Sequence, residues 1–196
     1  MILSPSFYMN EDVVQVAKDL LGKVIVTKID GITTSGIITE TEAYAGITDK
    51  ASHAYGGRRT NRTEIMYARG GVAYVYLCYG IHHLFNVVTN VQDIPHAVLI
   101  RAIEPVKGID AMLQRRKKTK LQPQLTSGPG AMSMALGIHT SHTGLSLAKG
   151  IITIHDEGLS VEDIIATTRI GVDYAKEDAL LPYRFYNEGN KFISKP

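Results

Sequence analysis

Apolar residues in the first part of the chain recur at helical spacing: Val13, Val16, Ala17, Leu20 and Leu21 form one stripe, as in a helix that lays one face on a core. Asn10 reads as its N-cap, Glu11 and Asp12 suit its positive end, and Gly22 stops it. The period then falls to two. KVIVTK reads as a strand, Asp30-Gly31 as a turn, and TTSGIITETEAY as the returning arm of the hairpin. Residues 45–70, rich in Gly, Arg and Thr, read as a long functional loop. After it, VAYVYLCYG and IHHLFNVVTN are two strands meeting near Tyr79-Gly80, and HAVLIRAIEP is a third, which makes an antiparallel meander.

The remainder is mixed. Pro105 suits the first turn of a helix over GIDAMLQRR, and SGPGAMSMALG reads as a short helix capped by Ser127, opened by Pro129 and stopped by Gly137. Residues 139–150 are loop-like, GIITIHD is a strand, SVEDIIATTRI is helical, and PYRFYNEGNKFIS is a closing hairpin turning at Glu188-Gly189. No repeat, low-complexity tract or linker divides the chain, so one domain over residues 1–196 is expected, of α+β class, with a central antiparallel sheet and surrounding helices.

Composition narrows the setting. A chain of 196 residues, 44% hydrophobic, can bury a real core. Its one cysteine, Cys78, excludes an internal disulfide, and MILSPSFYMNED lacks the basic flank and apolar core of a secretory signal, so a reducing cytoplasm is expected. The longest apolar runs fall far short of the ~20 residues that cross a bilayer, so a soluble protein with no membrane partner is expected. Net charge is only +2, but the cations cluster in RRTNR (Arg58–Arg62) and RRKKTK (Arg115–Lys120). Such clusters are ordinarily solvated faces. Flanking a tyrosine-rich meander, they also suit the tracking of phosphates, where each neutralised phosphate releases condensed counterions.

The chemistry starts from IITETEAYAG. Glu40, Glu42 and Tyr44 stand two residues apart and lean from one face of a strand, which makes either a wet outer face or a wall of a polar pocket. Tyr74 and Tyr76 share a face in the same way, while Tyr79 falls at a hairpin tip, placed to wedge between stacked bases. Aromatics favour strands in any case. The helix start over Ser127–Gly130 offers an anion seat through backbone amides. His139 with His142, and the His82-His83 pair, lack cysteines or a carboxylate at ligand spacing, so no metal is expected. Walker loops, dinucleotide glycine motifs and serine-nucleophile elbows are absent from the sequence.

ETEAY, SHAYGGRRT, RTEIMY, YVYLCYG followed by Asn86-Val87-Val88, VLIRAIEP, SGPG with ALGI, RIGV and YRFY occur in one order. Over nearly the whole chain they resemble the alkyladenine (3-methyladenine) DNA glycosylase family. The resemblance implies a monofunctional enzyme of base excision repair, acting without cofactor on double-stranded DNA that contains damaged purines such as 3-methyladenine or hypoxanthine. It implies that Tyr79, on a protruding hairpin, intercalates while the nucleotide is flipped into a pocket lined by Tyr44, His53 and Tyr76. Glu42 matches a catalytic glutamate that deprotonates water aimed at C1′, Arg101 an arginine that helps hold that water, and Asn86 a residue that rejects guanine by clashing with its exocyclic amine. Arg58, Arg59, Arg62, Ser127 and Gly128 are the expected contacts to the DNA backbone. No lysine occupies the nucleophile's position, so free base and an abasic site are the expected products, without strand cleavage. Glu40 receives no role and is expected to be structural or solvent-facing, and His82 and His83 are assigned none. Ala131 stands where many members of the family carry lysine, which leaves backbone amides as the anion seat.

A monomer is expected, associated with the nucleoid if bacterial. Two other readings keep some of these features: a noncatalytic nucleic-acid-binding module and a nucleoside hydrolase. The first would bind and release no base. The second would need neither the basic clusters nor a tip tyrosine.

Overall fold

The computed structural model describes residues 1–195. Among them, one eight-stranded antiparallel sheet carries three α-helices and several short 3-10 turns, a mixed α+β architecture. Helix α1 spans Val13–Asp19; Val13, Val16 and Ala17 of the stripe are its buried face, and Leu20 and Leu21 follow just beyond it, also buried. Its cap is Asp12, whose carboxylate accepts from the Gln15 amide at 3.0 Å. Asn10 instead accepts from the Asp12 amide at 2.9 Å, so the cap lies two residues after the predicted position.

Strands β1 (Val24–Ile29) and β2 (Ile32–Tyr44) form the predicted hairpin. Asp30 and Gly31 both have positive φ, as the type I′ turn between two right-twisted strands requires. Strands β3 (Ala73–Cys78), β4 (His82–Thr89) and β5 (His96–Lys107) form the meander. The sheet runs β3-β4-β5-β2-β1, with β6 (Ile152–His155) at the far edge.

The thirteen-residue β2 organises the site. β5 pairs with it along one side, while on the other β1 pairs only up to Ile37 and β8 (Arg184–Asn187) takes over at Glu40–Glu42. At the fork the β2–β5 register shifts twice. Thr39 is an extra residue on β2 between the pairs Ile38 with Ile103 and Glu40 with Ala102, and Arg101 is an extra residue on β5 before Thr41 pairs with Ile100. Such bulges re-aim side chains. Here they turn Arg101 toward the carboxylates of β2.

Several predicted elements are corrected. Pro105 lies in β5, opposite Gly36, rather than in a helix. β4 pairs with β5 only over His96–Leu99, so Pro105 lies where only β2 flanks β5 and a missing N–H is tolerated. Helix α2 begins later, at Ile109, behind Gly108 with φ +73°. The Thr33 carbonyl oxygen of β2 lies 2.5 Å from where a Cβ on Gly108 would sit, so glycine is required there on steric grounds as well. SVEDIIATTRI holds a strand, β7 (Ile164–Thr167), instead of a helix. Its β-branched residues complete the free edge of β8. The closing hairpin has one arm only: beyond Asn187 the chain leaves the ladder, and Phe192 and Ser194 bond to Thr39 and Glu40 across β2. Helix α3 (Pro129–Leu136) is preceded by Gly128, and Ser127 does not cap it. The Ser127 hydroxyl is buried with no hydrogen-bond partner among the described residues.

Candidate active site

Glu40 and Glu42 have no exposed surface, because the central position of β2 puts backbone on both sides of them. Glu40 is therefore structural and not solvent-facing. Its Oε1 accepts from Arg101 Nε (3.1 Å), Arg184 Nη1 (2.9 Å) and the Ser194 hydroxyl (2.8 Å), and its Oε2 from the Ser194 amide (2.6 Å).

Glu42 has different company. Its Oε2 accepts from the Tyr44 hydroxyl at 2.7 Å, and its Oε1 accepts from the Ile170 amide at 2.8 Å and lies 3.2 Å from Arg101 Nη1. Burial first, then the Glu42 charge, pushes the Tyr44 hydroxyl well above its ordinary range. Tyr44 therefore keeps its proton and donates it to the carboxylate.

Tyr44 is also a wall of a cleft shared with His53, Tyr74, Tyr76, Asn86 and Tyr174. The ring centroids of Tyr74 and Tyr76 stand 5.5 Å apart, and the His53 ring meets Tyr76 edge-on at 4.7 Å. Asn86 donates its amide hydrogens to the carbonyls of Tyr74 (3.1 Å) and Leu84 (3.2 Å), which fixes the rotamer of this buried side chain.

His53 Nδ1 lies 2.9 Å from the Tyr74 hydroxyl and Nε2 lies 3.4 Å from Arg62 Nη2. A guanidinium can only donate, so Nε2 accepts and Nδ1 carries the hydrogen. Burial, then the Arg62 and Arg58 cations, lowers the His53 pKa from 6.5 to about 4. The folded protein thus presents a neutral imidazole at neutral pH. The unfolded chain takes up a proton first as pH falls, so this residue makes stability decline by about 1.4 kcal/mol per pH unit between pH 6.5 and about 4. Chemical denaturation of wild type and His53→Gln at pH 7 and 5 checks it: the variant should lose less stability over that interval, and equal losses would refute the assignment.

Tyr79 is 91% exposed at the tip of the β3–β4 hairpin, with φ +50° followed by Gly80 at +74°. An aromatic residue in that left-handed region is strained by roughly 1–2 kcal/mol. Leu77 and Ile81 beside it are also exposed, so the tip is an apolar wedge. Arg58 and Arg62 are exposed near the cleft, with the Arg62 guanidinium 5.1 Å from the Tyr76 ring centre.

Arg59 is differently placed. It forms a two-pronged pair with Glu64 (2.9 and 2.8 Å), bonds Asp93 at 2.9 Å, and lies over the Tyr67 ring. In the second basic cluster, Arg115 bonds the Ala135 carbonyl and Arg116 those of Leu125 and Gln124. The Gly128 amide donates to the Arg101 carbonyl at 3.1 Å, so the helix-start donors left for an anion are those of Gly130 and Ala131.

The sequence reading missed a wall. Arg169, Ile170 and Tyr174, from the segment after β7, close the site opposite β2, and Asp49 secures them through Arg169 at 2.5 and 2.8 Å. RIGV signalled the segment, but nothing in spacing tied it to Glu42. Among the described residues no group of three or more His, Cys, Asp or Glu side chains is arranged to hold a metal, and no helix is long and apolar enough to cross a membrane.

The model of the family described as methylpurine-DNA glycosylase matches residues 6–191. A Chlamydia felis protein is 54% identical, over 94% of this chain and 95% of its own. One from Bacillus cereus strain G9842 is 50% identical over 97% and 98%, and one from Clostridium perfringens 45% identical over the full length of both. All three carry the provisional name 3-methyladenine DNA glycosylase. Matches of this identity and extent leave one conclusion: the chain belongs to the methylpurine-DNA glycosylase family.

Proposed function

We propose that this DNA glycosylase hydrolyses the N-glycosidic bond of alkylated or deaminated purines, 3-methyladenine and hypoxanthine among them, after the nucleotide is flipped from duplex DNA into the Tyr44–Tyr76 cleft. The observation that carries the reading is Glu42: a carboxylate without exposed surface, bonded to Tyr44 at the wall of an aromatic cleft. Glu42 takes the proton of a water that attacks C1′, and its charge stabilises the cation developing on the sugar. Arg101, 3.2 Å from Glu42, orients carboxylate and water. Stacking on the tyrosines holds the base at ~1–3 kcal/mol per contact. Asn86 excludes guanine, and lesions that pair poorly are cheaper to extrude. Tyr79 fills the gap in the duplex. Products are free base and an abasic site, and the enzyme acts as a monomer.

Base release from duplexes carrying hypoxanthine or 3-methyladenine, in the presence of a chelator, tests the reading. Release that leaves the strand intact until alkali is added is the expected result. Tight binding with neither base released would leave a noncatalytic binder as the better account. Release from free nucleosides as fast as from duplex would favour a nucleoside hydrolase.

The arginine environments give a second prediction. Arg58→Ala and Arg62→Ala should each reduce the slope of log binding constant against log salt by about 0.9, one phosphate's share. Arg59→Ala should change it less, because Glu64 and Asp93 already occupy that cation. Equal changes at all three positions would show that Arg59 leaves its carboxylates when DNA binds.

A further inference from the structure

We propose that Arg169 is a positioning residue of the glycosylase site: gripped by Asp49, it holds Tyr44 and the Ile170 amide so that both oxygens of Glu42 stay fixed. This rests on Glu42 being the base. The Arg169 and Asp49 side chains are buried and meet through two parallel bonds, Nη1 to Oδ2 at 2.5 Å and Nη2 to Oδ1 at 2.8 Å. Asp49 is itself held, accepting from the Ala45 and Ala51 amides at 3.0 Å each. Beyond Asp49, the guanidinium donates through Nη2 to the Asp178 carbonyl at 3.1 Å and also meets Ala43, Tyr44 and Tyr183. Nη1 donates to the carbonyl of Ala43, the residue between Glu42 and Tyr44, at 2.9 Å. Its Cζ lies over the Tyr44 ring, 4.8 Å from the ring centre, and 5.3 Å from that of Tyr183. Its backbone leads directly to Ile170, whose amide bonds Glu42 Oε1, while Tyr44 bonds Oε2.

One buried arginine therefore sits behind both neutral donors to the carboxylate. Asp49 balances its charge through the two-pronged pair, and the role proposed for Arg169 is the geometry it imposes on these donors. Its Nε has no hydrogen-bond partner among the described residues.

Arg169→Lys keeps the charge beside Asp49 but loses the planar fork and the stacking. Tyr44→Phe keeps the ring and loses the hydroxyl link to Glu42. Single-turnover release of hypoxanthine is compared for wild type, each single variant and the double variant, with duplex affinity measured alongside. The ring signals of ¹³C-labelled Tyr44 are followed in wild type and Arg169→Lys.

The expected result is release about tenfold or more slower in Arg169→Lys, the scale of a sub-ångström misplacement, with little change in affinity. The double variant should lose less than the product of the two single losses, and the Tyr44 ring signals should move. Wild-type release by Arg169→Lys, fully multiplicative losses, or unmoved Tyr44 signals would each overturn the proposal. A wild type that releases no base overturns the Glu42 reading and the positioning role with it, whereas shifted Tyr44 signals in that case would still show the clamp. Should Arg169→Lys fail to fold, Asp49→Asn/Arg169→Gln, which uncharges both partners together, takes its place in the cycle.

Discussion

Replacing Glu42 by glutamine is expected to slow base release by about 10²–10⁴-fold, the range over which a positioned general base contributes, while duplex binding and fold are retained. The environment explains why the substitution is tolerated structurally. The Ile170 amide and Arg101 both address Oε1, so the glutamine carbonyl settles there. The new amide group then faces the Tyr44 hydroxyl, which donates to Oε2 in the wild type and can instead accept. The Ile170 amide and Arg101 keep their acceptor, the Tyr44 hydroxyl hydrogen gives up its own at a cost of about 1–3 kcal/mol, and the ability to take a proton from water is lost. Single-turnover release from a hypoxanthine duplex, with affinity measured on the same duplex, checks both halves. A rate within a few fold of wild type would mean that water is activated elsewhere. Loss of binding in step with rate would make Glu42 a binding residue and not a base.

The sheet was legible because its strands alternate and their turns use residues that accept positive φ, as at Asp30-Gly31. The candidate site was legible only in part. Thr39-Glu40-Thr41-Glu42 reads locally as a wet strand, and no local rule buries two carboxylates. They are buried because β8, about 145 residues further along, docks on β2 where β1 diverges. β7 was misread for the same reason: its sequence permits a helix, and the free edge of β8 decides otherwise. Arg59 looked like a cation for phosphate because Asp93, its second acceptor, lies 34 residues away. Arg169 stands in a motif that marked the family but carried no assigned role. The role proposed for it depends on Asp49, Ala43 and Tyr44, all at least 120 residues upstream, and such convergence has no period to detect. Glu42 and Tyr44 stood out by their spacing and took their roles, with Arg101, from the resemblance to a family, and the fold supplies the physical reason they meet: bulges at Thr39 and Arg101 turn the arginine inward.

Glu40→Ala should produce the largest loss of stability among these residues, about 3–5 kcal/mol, the cost of leaving buried charges without their partner. Glu40 accepts two arginines, Arg101 and Arg184, and also both the hydroxyl and the amide of Ser194. Truncation leaves both cations facing each other across a cavity, with Glu42 the remaining carboxylate on Arg101. For a chain of this size a loss of that order lowers the melting temperature by roughly 10 °C or more. Glu40→Gln, which keeps acceptors for Ser194, should cost less. Thermal and denaturant unfolding decide the matter, and a loss under about 1 kcal/mol would show that water or Glu42 relieves the arginines. The comparison with Glu42 is the sharper test, because the two carboxylates lie two residues apart on one strand and share Arg101. If Glu40 is the structural member, its loss lowers stability while the fraction still folded releases base at a rate closer to wild type than Glu42→Gln does. Glu42→Gln should show the reverse, a smaller loss of melting temperature and a collapsed rate. One arginine shared between the two carboxylates then links the stability of the strand to the position of the base, since Glu40 holds Arg101 at the distance from which it meets Glu42.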